Sequence, residues 1–255
     1  MMADHKKLMM EIVHCPVAEG IRSGTLEYSP CEEIVQLQSG LTTFQPPEPW
    51  SGQIDIAPIL FISSNPSIHE MELYPDASWD EERTVNFFSQ RFTKGLCALH
   101  RDGITQIPVS YWTATCVHAS EILSRLVIPG RDFALTEIVH CKSRGGIGME
   151  EAKRHCADLY LKRVLSVSVA KVLVVCGAPA RGMFEEFYRA TLEPLQQNLS
   201  MLEGRMVVFL PHPRRTRWGV AVDLLSNVGS AGLATIRQHV RSTGTKTKYP
   251  AYAEE

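Results

Sequence analysis

The 255-residue chain has no apolar run approaching the roughly 20 residues that span a bilayer. Its first stretch, MMADHKKLMMEIVHC, scatters charges among the apolar residues and has no long hydrophobic core, so it does not read as a secretory signal. The expectation is an intracellular, cytoplasmic protein with no membrane partner. An excess of one charge sign is also missing. The net charge of −2 gives no global pull toward nucleic acid, so such binding needs a local basic patch. There are no internal repeats and no glycine-rich phosphate loop of a known type; GAPARG (177–182) does not supply one. The seven cysteines, an odd number in a reducing compartment, read as thiols or metal ligands, not as a disulfide framework.

What is present is ordinary globular material, 44% apolar and 21% charged, in a length that supports a full core. Four short apolar runs stand out: 57–63 (APILFIS), 133–140 (FALTEIVH), 171–176 (KVLVVC) and 206–210 (MVVFL). Each is strand-length and rich in Val, Ile, Leu and Phe, as for strands buried on both faces. Helical patterns lie between them at 80–92, 116–127 and 180–192. In EEAKRHCADLYLKRVL (150–165), Cys156, Leu159, Tyr160 and Val164 share one helix face. The alternation predicts an α/β fold in one domain over 1–255, with a central, mainly parallel four-stranded sheet flanked by helices. An irregular lead-in (1–54) containing the proline-rich FQPPEPWSG, a core (55–240) and a frayed polar tail (241–255) complete the expected organisation. Residues 64–115 form a long insertion whose role, shaping a pocket or covering the sheet, stays open.

In such sheets ligands bind beyond the carboxyl ends of the strands. All four runs end in polar or turn residues, which puts several candidate loops on one rim. Asn65, in SSNPS after the first run, is either an ordinary Asn-Pro turn or a polar group held at the rim. His212, clamped by two prolines in LPHPRR, is either a surface-loop histidine or a donor toward developing negative charge. Arg214, Arg215 and Arg217 read as a solvated face or as a phosphate-contacting loop. Cys141 and Cys156 do not match the usual short zinc spacings and, on their own, read as structural thiols. Cys176 reads as core within its strand, and Cys97 and Cys116 as core positions on helices.

Together SSNPS, LTEIVHC, the cysteine-bearing helix, the strand closing in Gly177 and LPHPRR resemble the uracil-DNA glycosylase superfamily. The likeness is nearest over 135–180, to its iron–sulfur branch (families 4 and 5), with an Asn-Pro first motif as in the mismatch-specific and single-strand-selective branches. The likeness covers roughly 55–215. It implies the three-layer α/β/α fold of that superfamily and a monofunctional DNA glycosylase of base excision repair. Such an enzyme hydrolyses the N-glycosidic bond of uracil, or a related deaminated base, flipped out of single- or double-stranded DNA. By this resemblance Asn65 positions the attacking water and His212 stabilises charge growing on uracil O2, a division that needs orientation and electrostatics more than a strong base. Ser64, Pro66 and Ser67 would form the substrate-contacting turn. Tyr74 would be the base-stacking ring, with Phe87, Phe88 and Trp112 as alternatives to it and core packing as the plain reading of all four. Ser143 and Arg144 would meet DNA together with Arg214, Arg215 and Arg217. No lysine stands at the motif positions to form a Schiff base. The chain is expected to act as a monomer.

Two departures from the pattern bear on specificity and on the cofactor. Glu137 stands where the iron–sulfur branch carries the asparagine that reads uracil. An ionised glutamate accepts hydrogen bonds but donates none. Either Glu137 is protonated, or another group reads O4, or the base is not uracil, or the side chain points away from the pocket. A non-catalytic or altered-specificity DNA- or nucleobase-binding member of the fold is the competing function. The close Cys-x-x-Cys pair of the branch is also missing. Cys15 and Cys31 precede the first motif, and with Cys141 and Cys156 they make four in the right order for a structural [4Fe–4S] cluster. A cluster-free protein that keeps the cysteines is the alternative.

Overall fold

The structure, a computed structural model, describes residues 2–212 and 224–242. In chain order it contains α1 (Met2–Val13), α2 (Pro16–Ser23), α3 (Glu32–Gln36), β1 (Trp50–Ser51), β2 (Ile59–Ser63), α4 (Glu81–Gln90), β3 (Cys97–Leu99), β4 (Gln106–Pro108), α5 (Ser110–Leu123) and β5 (Phe133–Glu137). Then come α6 (Met149–Cys156), a π turn (Ala157–Leu161), α7 (Lys162–Val167), β6 (Val172–Cys176), α8 (Ala178–Phe187), β7 (Glu193–Gln196), β8 (Leu199–Leu202), β9 (Arg205–Leu210) and α9 (Leu224–Ser242).

The four apolar runs of the sequence are β2, β5, β6 and β9. They lie side by side and parallel in the order β5-β2-β6-β9. Among the described residues the sheet has seven strands rather than four, in the order β1-β5-β2-β6-β9-β8-β7. The three additions are antiparallel edge pieces. β1 is two residues long and β7 is exposed throughout, so neither carries the continuous apolar signal of a central strand.

Alternation along the strands builds two separate cores. Leu60, Ile62, Ala134, Leu173, Val175, Val207 and Phe209 pack under α1–α4 and α6–α8. Ile59, Phe61, Phe133, Leu135, Val174 and Val208 pack under α5 and α9. The sheet is thus covered on both faces, as the hydrophobic runs require. Burying each such side chain contributes about 1.5–3 kcal/mol.

Three local expectations need correction. The first 54 residues are not an irregular lead-in, since α1, α2 and α3 occupy much of them; Leu8, Met9, Ile12 and Val13 form the buried stripe of α1. Cys97 lies on a strand of the β3–β4 hairpin instead of a helix, and both it and Cys116 are only half-buried. The helix over 150–165 is not continuous α: a π turn follows Cys156 directly. Of the expected tail (241–255), Arg241 and Ser242 close α9 and the remainder lies outside the described residues. No helix among the described residues is long and apolar enough to cross a membrane.

Candidate functional site

The register of the parallel strands aligns their carboxyl ends. Ser63 stands opposite Glu137, Ile62 opposite Val175, and Cys176 opposite Leu210. The rim therefore carries the Ser64–Ser67 turn, the 138–143 segment, Gly177 and the Pro211–His212 turn. Backbone bonds tie the first two together: Ile138 N–H donates to Ser63 O (2.9 Å), Val139 N–H to Ser64 O (2.9 Å) and Ser143 N–H to Pro66 O (3.0 Å).

Asn65, Glu137 and His212 line one cleft of ≈ 240 Å³, joined by Ser63, Pro66, Ser67 and the insertion residues Glu72, Arg91, Tyr111 and Trp112. The insertion thus shapes the pocket. Asn65 is oriented locally: its Oδ1 accepts from the Ser64 hydroxyl (3.3 Å) and its Nδ2 donates to Pro66 O (3.2 Å). The His212 ring lies 5.6 Å from that of Tyr111, tilted by 32°. Gly177, at φ +92°, lets the chain pass beneath it; a Cβ there would stand 3.3 Å from His212 Cβ.

Glu137 falls on the same face of β5 as Leu135, the face under α5, so its side chain enters the cleft. Its Oε1 accepts from the Ser63 hydroxyl (3.3 Å), whereas its Oε2 is buried with no hydrogen-bond partner among the described residues. Burial, and then the neighbouring Glu48 carboxylate, push its pKa up to about 8. The Tyr111 hydroxyl on the same wall is likewise buried without a partner in hydrogen-bonding geometry among the described residues.

A buried charged network that sequence reading missed forms part of this wall through Glu48, Glu72 and Arg91 and continues behind it in Lys142. Arg91 donates from Nε (2.7 Å) and Nη2 (2.8 Å) to the two oxygens of Glu72, and from Nη1 to Glu48. Lys142, fully buried, reaches Glu48 Oε2 (3.5 Å) and Glu72 Oε2 (3.7 Å). Burial works against ionisation of Glu72, but Arg91 and Lys142 outweigh it and hold its pKa below the ordinary range. Lys142 is pushed down by burial and then by Arg91, against the pull of Glu48 and Glu72. The four residues come from segments with no shared motif, so no spacing in the sequence announces them.

Other expected contacts are placed differently. Tyr74 does not line the cleft. It is buried behind it, with edge contacts to Phe87 and Phe88, its hydroxyl donating to Glu48 (3.3 Å) and Lys142 Nζ 3.9 Å over its ring. The rings on the wall are Tyr111 and Trp112. Ser64 serves Asn65 and is not on the wall. Ser143 is buried, with its hydroxyl donating to Ile147 O (2.7 Å); Arg144 beside it is exposed and paired with Glu70. Arg214, Arg215 and Arg217 lie outside the described residues.

A second constellation assembles on the opposite face of the sheet. Cys15 caps α2, Cys31 caps α3, Cys141 follows β5 and Cys156 ends α6, and all four surround one small cavity with His140, His155 and Tyr160. All four are buried free thiols. Burial, with a further push from Cys15, moves Cys31 up to about 11; burial and the other three cysteines push Cys141 up, and burial pushes Cys156 up. The His140 N–H points at Cys156 Sγ (3.4 Å), and the buried Nε2 atoms of His140 and His155 have no hydrogen-bond partner among the described residues. Among the described residues no three His, Cys, Asp or Glu side chains stand close enough to share one metal ion. A cubane is wider than an ion and takes its four thiolates from further apart. The donor set, four thiols on one cavity with an N–H aimed at sulfur, fits such a cluster. Its positive iron would offset the burial that now disfavours thiolates.

No protein-family model matches the chain, and no curated protein matches it either. Function has to be read from the site itself.

Proposed function

We propose that this protein is a monofunctional DNA glycosylase with the uracil-DNA glycosylase fold, releasing uracil or a related deaminated base from DNA. The observation that carries the reading is the meeting of Asn65, His212 and Glu137, from three different strand ends, in one cleft smaller than the roughly 300–1,000 Å³ of drug-sized pockets. That is a size suited to a single flipped base.

The division of labour follows from donor and acceptor chemistry. The Asn65 carboxamide, held by Ser64 and Pro66, keeps a lone pair on Oδ1 to orient a water beneath the sugar. An amide is a weak base. It suffices when the leaving base departs first as an anion and water then captures a cationic sugar. His212, stacked near Tyr111, donates toward the oxygen on which the departing base collects charge. Tyr111 and Trp112 take the stacking role in place of Tyr74. Arg144 at the rim and the arginines at 214, 215 and 217 would hold the phosphates. The protein would act as a monomer on single- or double-stranded DNA.

The cysteine constellation would hold a [4Fe–4S] cluster through Cys15, Cys31, Cys141 and Cys156. When bound, it would cross-link α2, α3, α6 and the post-β5 segment and add folding stability.

The test uses oligonucleotides carrying U, hypoxanthine or xanthine, single-stranded and in duplex, with alkaline cleavage of abasic sites. Asn65→Ala and His212→Ala should each lower the single-turnover rate by about 10²–10³-fold. Wild-type rates in both variants would show the site to be elsewhere. The second reading, a base-binding member that does not cleave, is favoured only by Glu137 replacing an amide. It predicts retention of uracil-containing DNA with no abasic product.

A further inference from the structure

Among the described residues, the buried charges around the cleft do not balance unless one carboxyl is neutral. Arg91 and Lys142 are the cations, and Glu48 and Glu72 take both of them. Both oxygens of Glu48 are also engaged by other donors, Ser51 on Oε1 (3.3 Å) and Tyr74 on Oε2 (3.3 Å). Glu137 is a third buried carboxyl in the same surroundings, and among the described residues no cation lies within ion-pair distance of it. Its Oε1 is occupied by the Ser63 hydroxyl, and its Oε2 is buried at the wall of the cleft without a hydrogen-bond partner among the described residues. An unpaired buried carboxylate is costly, and the group relieves that cost by keeping its proton. Because Ser63 donates to Oε1, the proton belongs on Oε2, the oxygen left without a partner, on a side chain that lines the cleft.

We propose that Glu137 works as a neutral carboxylic acid whose O–H turns to donate to a carbonyl oxygen of the base that fills the cleft, selecting deaminated bases over their amino-bearing parents. The proposal rests on the glycosylase reading for the identity of the ligand. Its chemistry is simple. Uracil and hypoxanthine present a carbonyl where cytosine and adenine present an amino group. A carbonyl accepts from O–H, whereas an amino group sets donor against donor. The unpaired donors of a buried site reject a ligand that cannot meet them. Once ionised, Glu137 offers only acceptors, so the preference for a carbonyl disappears. The groups facing it from the surrounding elements are Glu48 before β1, Ser63 at the end of β2, Glu72 and Tyr74 in the insertion, Arg91 after α4, Tyr111 on α5 and Lys142 after β5. His69 and His212 line the same cleft.

Two measurements test this without depending on catalysis. In the infrared difference spectrum of wild type minus Glu137→Gln, a protonated carboxyl C=O band should be present near neutral pH and vanish as the pH rises through about 8. Carboxylate bands alone near neutrality would overturn the proposal. In calorimetric titrations with free bases, the wild type should bind uracil at least about tenfold more tightly than cytosine near neutral pH and lose that preference at higher pH. Glu137→Gln, whose amide retains a donor, should show the same preference at both pH values, which controls for ionisation of uracil itself. Equal binding of the two bases by the wild type near neutrality, or a Gln variant that follows the wild-type pH profile, would also overturn it. If the infrared and binding results hold but no oligonucleotide yields an abasic site, the glycosylase reading fails while the role of Glu137 stands.

Discussion

Replacing Glu137 by Gln should flatten part of the pH dependence of stability, and the size of the change can be worked out. Burial, reinforced by Glu48, raises the folded-state pKa of Glu137 from an ordinary 4.5 to about 8. Its stabilising contribution is fully present below the unfolded pKa and is lost as the pH rises toward the folded one. Within that window the folded chain holds one proton that the unfolded chain has released. Each pH unit then removes about 1.4 kcal/mol, a total of about 5 kcal/mol. Glutamine has the same shape and does not titrate. The unfolding free energy of the wild type minus that of Glu137→Gln should therefore fall by up to about 5 kcal/mol between pH 4.5 and pH 9, a large share of a total of about 5–15 kcal/mol. Urea unfolding of both proteins at half-unit pH intervals supplies the curve, and the many groups common to both cancel in the difference. Parallel pH profiles would refute the reasoning, because they would mean that Glu137 has the same pKa folded and unfolded.

Arg91→Met should destabilise the fold by about 3–5 kcal/mol at neutral pH, because it leaves Glu48 and Glu72 with Lys142 as their remaining cation; chemical denaturation checks this, and a change under 1 kcal/mol would mean the network is not buried as described. Gly148→Ala should cost at least about 1–3 kcal/mol, since Gly148 sits at φ +71° and an added Cβ would stand 2.5 Å from the Ile34 backbone nitrogen; a melting temperature equal to wild type would contradict that packing. Cys141→Ser and Cys156→Ser should each lower iron per chain and visible absorbance in anaerobic preparations, and a wild type purified anaerobically without iron would remove the cluster from the proposal.

The parallel heart of the sheet was legible because β2, β5, β6 and β9 are buried on both faces and leave an unbroken apolar signature. The edge strands were not. β1 is too short to show a period, and β7 pairs on one side only, with exposed residues throughout. The helical stripe of α1 was present in the spacing of Leu8, Met9, Ile12 and Val13, and was obscured by the charges between them. Asn65 and His212 could be found because each follows a recognisable strand and a proline fixes its turn. Tyr74 misled for a tertiary reason. Its sequence distance from Asn65 says nothing of the Arg91–Glu72–Glu48–Lys142 network that takes it as cover, and Tyr111, three residues past the β3–β4 hairpin, reaches the cleft instead.

The segment Glu137–Lys142 makes the two constellations one structural problem. Glu137 turns into the cleft and Lys142 into the charged network beside it, while His140 and Cys141 face the cysteine cavity. His140 fastens the segment from the other side. Its Nδ1–H donates to Glu48 O (2.7 Å), and Glu48 N–H donates back to His140 O (2.8 Å), so the residue holding Arg91 and Lys142 is bound by its backbone to the segment that leads into the cysteines. Burial lowers the pKa of His140 to about 4, which keeps the ring neutral and its Nδ1–H available as that donor. A disturbance at Cys141 is therefore delivered within one residue to Lys142 and through His140 to Glu48, the two partners that leave Glu137 as the uncompensated acid. On this geometry, loosening the cysteine constellation should shift the alkaline titration of Glu137 before it alters Asn65, whose turn is held from β2 and by its own Ser64 and Pro66 contacts. Following the Glu137 carboxyl band in Cys156→Ser is the direct check; an unshifted titration in that variant would show that the two sides of the sheet are independent.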